Sequence, residues 1–259
     1  EEKYSGLNFK KKIARTKTIL KKKKIKNFFL SSTDSISWLL NIRSNEVPYT
    51  PIVLSFLILS MNQKSLLFLN NHKDYKIKKY LKDYVDLLNI KDLKNSLTNF
   101  SISSRKIAID PSKTPYFVES FLKNIGIKII YEKDPCTILK AQKNNVEIKG
   151  AKNAHIRDGV SIVKFLFWLE KGIEKNKYIT EKIASAKLYQ FRKKNKLFQG
   201  LSFETIPGYG SNGSIIHYRV TKKSNKVLKK NNLFLFDSGG QYLDGTTDIT
   251  RTIAIGNPT

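Results

Sequence analysis

Cysteine and methionine each occur once, as Cys136 and Met61. A lone cysteine cannot close an internal disulfide, so a disulfide scaffold is excluded and a reducing cytoplasm is the expected compartment. Glycine (13 residues) and proline (7 residues) are too sparse for a collagen-like or low-complexity polymer of 259 residues. Long apolar runs are missing as well. The longest stretch, Pro51 to Met61, falls well short of the ~20 residues that cross a bilayer, and no membrane partner is expected. No signal-peptide pattern opens the chain. Its start at Glu1-Glu2-Lys3 and its end at Gly256-Asn257-Pro258-Thr259 are those expected of a processed chain or a fragment.

Acidic side chains are also scarce, with 21 Asp and Glu against 48 Lys and Arg, for a formal net charge of +27. Such an excess raises nucleic acid as a partner. However, 41 of the basic residues are Lys and only 7 are Arg, and the lysines are scattered among Asn and Ile along the whole chain. Phosphate and base recognition favours the planar fork of Arg. A solvated lysine surface is the better reading, and no nucleic-acid partner is expected. What is present is enough for a core: 40% of the residues are hydrophobic, in a length that suits one large or two ordinary domains.

The patterning predicts an α/β (α+β) chain in two regions. Residues 1–25 are basic and helical in pattern, and read as a linker helix or the tail of a preceding domain. Strands are expected at Asn27 to Leu30, Ile36 to Ile42, Ile52 to Leu59 and Leu66 to Leu69. A helix is expected over 74–90, a strand at Lys106 to Ile109, a helix over 114–124 and a strand at Ile127 to Tyr131. The dipeptide Asp134-Pro135 marks a boundary, giving regions 26–135 and 136–259. The second region should hold a long helix over 137–174, with a possible break at Gly150 and with Ile156, Val160, Val163, Phe167 and Leu169 at helical spacing. A helix over 180–195, capped by Thr180, should follow, then strands at Ser214 to Val220, Leu233 to Asp237 and Ile249 to Ile255.

The segment richest in chemistry runs from Phe234 to Thr252. A buried apolar strand ends in Asp237, a glycine turn follows, and a second strand opens behind Asp248. Carboxylates on adjacent antiparallel strands can converge on a hard divalent cation. Capping and turn roles stay open for Asp237. Asp244, directly before Gly245, reads as a turn residue. On pattern alone His217 is a strand histidine of the core, and His155 a helical histidine bonded locally. Arg43 is open between a reach to another domain or subunit and a surface salt bridge. Cys136 has no His or acid motif beside it and is no nucleophile candidate.

The run Asp237-Ser238-Gly239-Gly240-Gln241-Tyr242-Leu243-Asp244-Gly245-Thr246-Thr247-Asp248-Ile249-Thr250-Arg251-Thr252 closely resembles the signature of the aminopeptidase P (Xaa-Pro aminopeptidase) family of pita-bread metallopeptidases. Three further stretches resemble it in the right order: Asp34 to Arg43, Asn153 to Gly159 with Trp168-Leu169-Glu170, and Thr205 to Gly213 with His217-Tyr218-Arg219. The resemblance implies a creatinase-like α/β middle domain followed by the N-terminal part of a pita-bread catalytic domain, as in the long three-domain members. It implies a dinuclear site of two divalent metal ions, commonly Mn²⁺, with Asp237 and Asp248 as ligands, Asp248 bridging. His217 would stand beside the site as a catalytic, non-ligand residue. The reaction implied is hydrolysis, by a metal-activated water, of the bond between an N-terminal residue and a proline in second position. A homodimer is implied too.

Two departures bear on this. The family pattern asks for a His and two Glu beyond the Asp pair, and no His follows Asp248 and no Glu follows Glu204. Only two of five ligands are therefore present, and the chain alone is expected to be inactive. The rival readings are a non-catalytic pita-bread binding protein or remnant of a split gene, a creatinase-like amidinohydrolase, and a charge-driven nucleic-acid binder. The Asp pair argues against the amidinohydrolase, which needs no metal.

Overall fold

A computed structural model describes residues 2–258; Glu1 and Thr259, the ends of the two terminal stretches discussed above, lie outside the described residues. The chain divides into two compact units, Glu1–Val47 with Pro51–Lys143, and Pro48–Thr50 with Asn144–Thr259.

The first unit contains α1 (Glu2–Ser5), α2 (Phe9–Lys22), β1 (Asn27–Leu30), α3 (Thr33–Leu40), β2 (Ser55–Ser60), β3 (Ser65–Leu69), α4 (Tyr75–Leu81), β4 (Val85–Asn89), α5 (Leu93–Ser103), β5 (Lys106–Ile109), α6 (Tyr116–Asn124), β6 (Lys128–Tyr131) and α7 (Cys136–Ala141). Its sheet has the order β4-β3-β2-β1-β5-β6. The pairs β1–β2 and β2–β3 are antiparallel; β3–β4, β1–β5 and β5–β6 are parallel. Strand alternation splits the apolar residues between two cores. Phe28, Leu30, Leu57, Leu59, Leu67 and Leu69 face one core, and Phe29, Ile58, Phe68, Ile107 and Ile109 face the other. A sheet covered on both faces has continuous apolar strands, and that is why β1 to β3 are so easily read.

Three expectations change here. The run Ile36 to Ile42 is not a strand; α3 covers Thr33–Leu40. Ile36, Leu39 and Leu40 follow helical spacing and are fully buried, and Asn41 ends the helix in the left-handed conformation at φ 53°. The helix expected over 74–90 stops at Leu81, and β4 follows, paired in register with β3 through Leu67 and Leu87. Sheet pairing outweighs the helical spacing of Leu87 and Leu88. The basic helix α2 is no bare linker: Phe9, Ile13 and Leu20 belong to the first core. Its Lys12 is buried, donating to Trp38 O (3.0 Å) and Asn41 Oδ1 (2.7 Å). Cys136 is buried in the same core, so the unit runs past residue 135, and burial pushes its thiol well up, away from nucleophile chemistry. Arg43 donates to Ser37 O and Ile42 O at the end of α3.

The second unit contains α8 (Asn145–Glu174), α9 (Glu181–Lys193), β7 (Phe198–Leu201), β8 (Ile206–Tyr209), β9 (Asn232–Ser238), β10 (Gly240–Tyr242), β11 (Gly245–Thr246) and β12 (Ile249–Ile255). Its strands form two small sheets, β11-β10-β7 and β12-β9-β8. The helix α8 starts in a capping box, Asn144 accepting from the amides of Val146 and Glu147 while the Glu147 side chain accepts from Asn144 N. It runs unbroken through Gly150. That glycine is a close approach rather than a break, because a Cβ there would collide with the backbone of Asp244. Of the apolar positions noted at helical spacing, only Leu169 is buried. Ile162, Phe165 and Leu169 pack with Ala184 and Leu188 of α9 and with Phe234 and Phe236 of β9. Ile156, Val160, Val163 and Phe167 are exposed. The inner face also carries Ala154, Asp158 and Ser161, all buried, so small and polar residues mask it from an apolar pattern search. Thr180 caps α9, accepting from Ile183 N.

Candidate metal centre

Asp237 is the last residue but one of β9, and Asp248 stands immediately before β12. The register pairs Ile249 with Ser238 and Thr250 with Asp237. Phe234 and Phe236 alternate into the core, so Asp237 lies on the opposite face. Thr250 shares that face as its cross-strand partner, and Asp248, two residues ahead of Thr250, occupies the diagonal position. Side chains in that relation stand roughly 7 Å apart, near enough to share a ligand. Asp237 is partly buried and Asp248 exposed. The hydroxyl of Thr250 donates to Asp237 Oδ1 at 2.8 Å, which fixes one carboxylate oxygen. The donor set fits a hard divalent cation in kind, two carboxylates with no soft ligand. Among the described residues, no three His, Cys, Asp or Glu side chains gather to hold an ion.

His217 is placed differently from expectation. No strand covers Ser214 to Val220; a 3₁₀ turn spans Gly210–Ser214, and His217 is an exposed residue in the left-handed region at φ 52°. The reason lies on either side of it. Asn212 and Tyr218 are buried and both bind Glu181, which is itself fully buried in the first turn of α9. Glu181 Oε1 accepts from Tyr209 N and Asn212 Nδ2, both at 2.9 Å, and Oε2 accepts from Tyr218 Oη (2.9 Å) and Lys226 N (3.0 Å). Four donors and the helix N-terminus satisfy the carboxylate without a cation. The segment is thereby folded inward as a turn, and its amides bond locally, Tyr218 N to Ile215 O and Ile215 N to Asn212 O. Burial raises the Tyr218 phenol, so it stays a donor. Among the described residues, no hydrogen bond or ion pair joins His217 to Asp237 or Asp248.

A second buried carboxylate underlies the hairpin, and sequence reading passed it over. Asp158 of α8 and Arg192 of α9 are both wholly buried and form a two-pronged pair, Nε to Oδ1 at 2.6 Å and Nη2 to Oδ2 at 2.9 Å. Tyr242 Oη donates to Oδ1 and Thr247 Oγ1 to Oδ2, each at 2.9 Å. Burial first, and the neighbouring Asp158 charge with it, pushes the Tyr242 phenol up, so it remains protonated. Asp244 does lie in the turn between β10 and β11, and it pairs with Arg157. His155 bonds locally, Nδ1 to Ala151 O at 2.8 Å. The signal for Asp158 was available: it falls on the α8 face of Ala154, Ile162 and Phe165, and a charge at an inner position needs a partner.

These units and this hairpin define a class. The chain belongs to the creatinase/prolidase family: residues 1–147 match the Creatinase/Prolidase N-terminal domain, and residues 149–259 match Metallopeptidase family M24. More particularly, the chain is 36% identical over 267 residues to a Xaa-Pro aminopeptidase of Drosophila melanogaster, covering 99% of this chain and 42% of the relative. It is 36% identical over 263 residues to an uncharacterised peptidase of Schizosaccharomyces pombe, covering 100% of this chain and 42% of the relative. Among crystal structures it resembles an X-prolyl aminopeptidase of Caenorhabditis elegans, described as a cytosolic enzyme with a di-nuclear active site. The TM-score is 0.93 at 30% identity, over 100% of this chain and 43% of that one. A Xaa-Pro dipeptidase of Bacillus anthracis shares the fold, with a TM-score of 0.73 at 19% identity over 97% of this chain and 66% of the other. The chain thus spans about two fifths of the length of the curated relatives it matches. No helix among the described residues is long and apolar enough to cross a membrane.

Proposed function

We propose that this chain is part of a metal-dependent Xaa-Pro aminopeptidase, which releases an N-terminal residue that is followed by proline in second position. The observation that carries the reading is the β9–β12 register, in which Asp237 alternates away from the phenylalanine core and Asp248 directly precedes the paired strand. The whole-chain likeness to an X-prolyl aminopeptidase with a di-nuclear active site supports it. Asp237 and Asp248 would hold two divalent ions, proposed as Mn²⁺, together with ligands that the family pattern supplies beyond Asp248. Bound there, such ions supply a water acidic enough to act as a nucleophile near neutral pH.

The residues present prepare that chemistry. Asp237 is oriented by the Thr250 hydroxyl, and Asp248 by the tightly bonded turn that precedes it. His217, on its exposed turn, is the proposed donor to the substrate carbonyl, and the Glu181 network holds the turn on which it stands. A cytosolic location and a homodimer are part of the proposal. Because two of the five ligands of the family pattern lie in this chain, the chain alone is expected to show no activity.

The test is release of the N-terminal amino acid from a short Xaa-Pro peptide with added Mn²⁺. The natural protein that contains this chain should be active, the 259-residue chain silent, and Asp248→Ala in the natural protein should lose at least 100-fold in kcat/KM, on the order expected for a lost metal ligand. An Asp248→Ala protein as active as the parent would end the reading.

A further inference from the structure

The turn that carries Asp248 is pinned from beneath at a single residue, Thr247, which is fully buried. Its hydroxyl donates to Asp158 Oδ2 at 2.9 Å and accepts from Gly240 N at 2.9 Å. Its amide donates to Gly240 O (2.9 Å), and its carbonyl accepts from Ser202 Oγ (2.8 Å). Every polar atom of Thr247 is thus engaged, in a space so tight that a Cβ on Gly239 would strike both the Thr247 carbonyl and Ser202. The partner Asp158 is in turn fixed by Arg192 and Tyr242, and Asn195 donates to both Tyr242 Oη (3.1 Å) and Ser161 Oγ (2.9 Å).

A buried ion pair need not be present for stability, since hydrocarbon of equal volume does as well or better. This one is directed at a particular backbone position. We propose that Thr247, held by the Asp158–Arg192 pair, is a positioning residue that sets where the Asp248 carboxylate stands, and so tunes the affinity of the metal site. This deepens the peptidase reading and rests on it. Asp248 is exposed, with nothing on its own side chain to orient it among the hydrogen bonds of the described residues, so its placement depends on the backbone just before it.

The test uses the natural protein that contains this chain and Mn²⁺ as the probe. Mn²⁺ affinity is measured by calorimetric titration, the bound ions by their electron paramagnetic resonance spectrum, and the metal-free melting temperature is recorded alongside. Thr247→Val keeps the shape and removes the hydroxyl, and should weaken Mn²⁺ binding by about 10–100-fold and alter the spectrum. Thr247→Ser restores the hydroxyl and should restore both affinity and spectrum even where the metal-free protein melts lower. A lower melting point in Thr247→Val with Mn²⁺ affinity and spectrum unchanged would overturn the inference while leaving the peptidase reading intact. A parent protein that binds no Mn²⁺ would overturn both.

Discussion

The two units bury different chemistry. In the first, one mixed sheet of six strands separates two hydrocarbon cores, and strand alternation alone assigns side chains to them. In the second, a smaller apolar cluster of α8, α9 and the β12-β9-β8 sheet is accompanied by two wholly buried carboxylates, Asp158 and Glu181, each saturated by four hydrogen bonds. The hydrocarbon cores tolerate apolar side chains of similar volume. The buried carboxylates do not, because each ties together segments far apart in sequence and with defined geometry. In the second unit directional bonds hold a hairpin and a left-handed turn in fixed places, which area burial alone does not do.

Breaking the ionic side should have the largest effect. Asp158→Ala leaves Arg192 buried without its counter-charge, and should cost about 3–5 kcal/mol. Replacing the pair together, by Asp158→Leu with Arg192→Met, should restore most of that stability but not the place of Thr247. The two tryptophans make the measurement local, since Trp38 lies in the first unit and Trp168 in the second. Urea unfolding followed through Trp168 in a Trp38→Phe background reads the change. A single mutant that unfolds with the parent would refute the contrast. On the hydrocarbon side, Leu57→Ala empties a fully buried site in β2 and should cost about 2–4 kcal/mol, read through Trp38 in a Trp168→Phe background. There, Leu57→Met should cost under about 1.5 kcal/mol, and a larger loss would show that shape matters in the first unit as much as bonding does in the second.

The same contrast explains what the sequence disclosed. Strands buried on both faces, such as Phe28-Phe29-Leu30 and Ile107-Ala108-Ile109, announce themselves as apolar runs, and β9 and β12 were legible with Asp237 and Asp248 at their ends. The run Ile36 to Ile42 reads as a strand because so short a stretch of mainly apolar residues supports either period, and only the spacing of Ile36, Leu39 and Leu40 separates them. β7 and β8 were missed, being four residues each with Gly200, Pro207 and Gly208 inside them. Glu181 looked like an ordinary first-turn acid behind the Thr180 cap, and the turn around His217 looked like a strand. Both depend on partners 28 to 45 residues away, which no local window contains. Asp158 and Thr247 are 89 residues apart, and their bond exists only once α8 and the hairpin have met.

A further small effect is expected in the first unit, at the carboxylate of Asp110. Asp110, directly after β5, accepts from Asp134 N through Oδ2 (2.9 Å) and from Ser112 N (2.9 Å) and Ser112 Oγ (2.7 Å) through Oδ1, joining the ends of β5 and β6. Burial pushes this carboxyl up, but the bonds from Asp134 and Ser112 outweigh it and hold it below the usual carboxylate range. A carboxyl depressed by folding stabilises the protein above its unfolded value, about 3.9, and that contribution is lost as pH falls through the lower folded value. Asp110→Asn keeps an acceptor but not the charge, and should cost about 1–2 kcal/mol at pH 7. The gap between parent and variant should narrow below about pH 4, where the parent takes up a proton and the variant has none to take. Urea titrations through Trp38 at pH 7 and pH 3 measure it. A gap of equal size at both pH values would mean that the relay acts by shape alone, and that the charge of Asp110 adds nothing to the first unit.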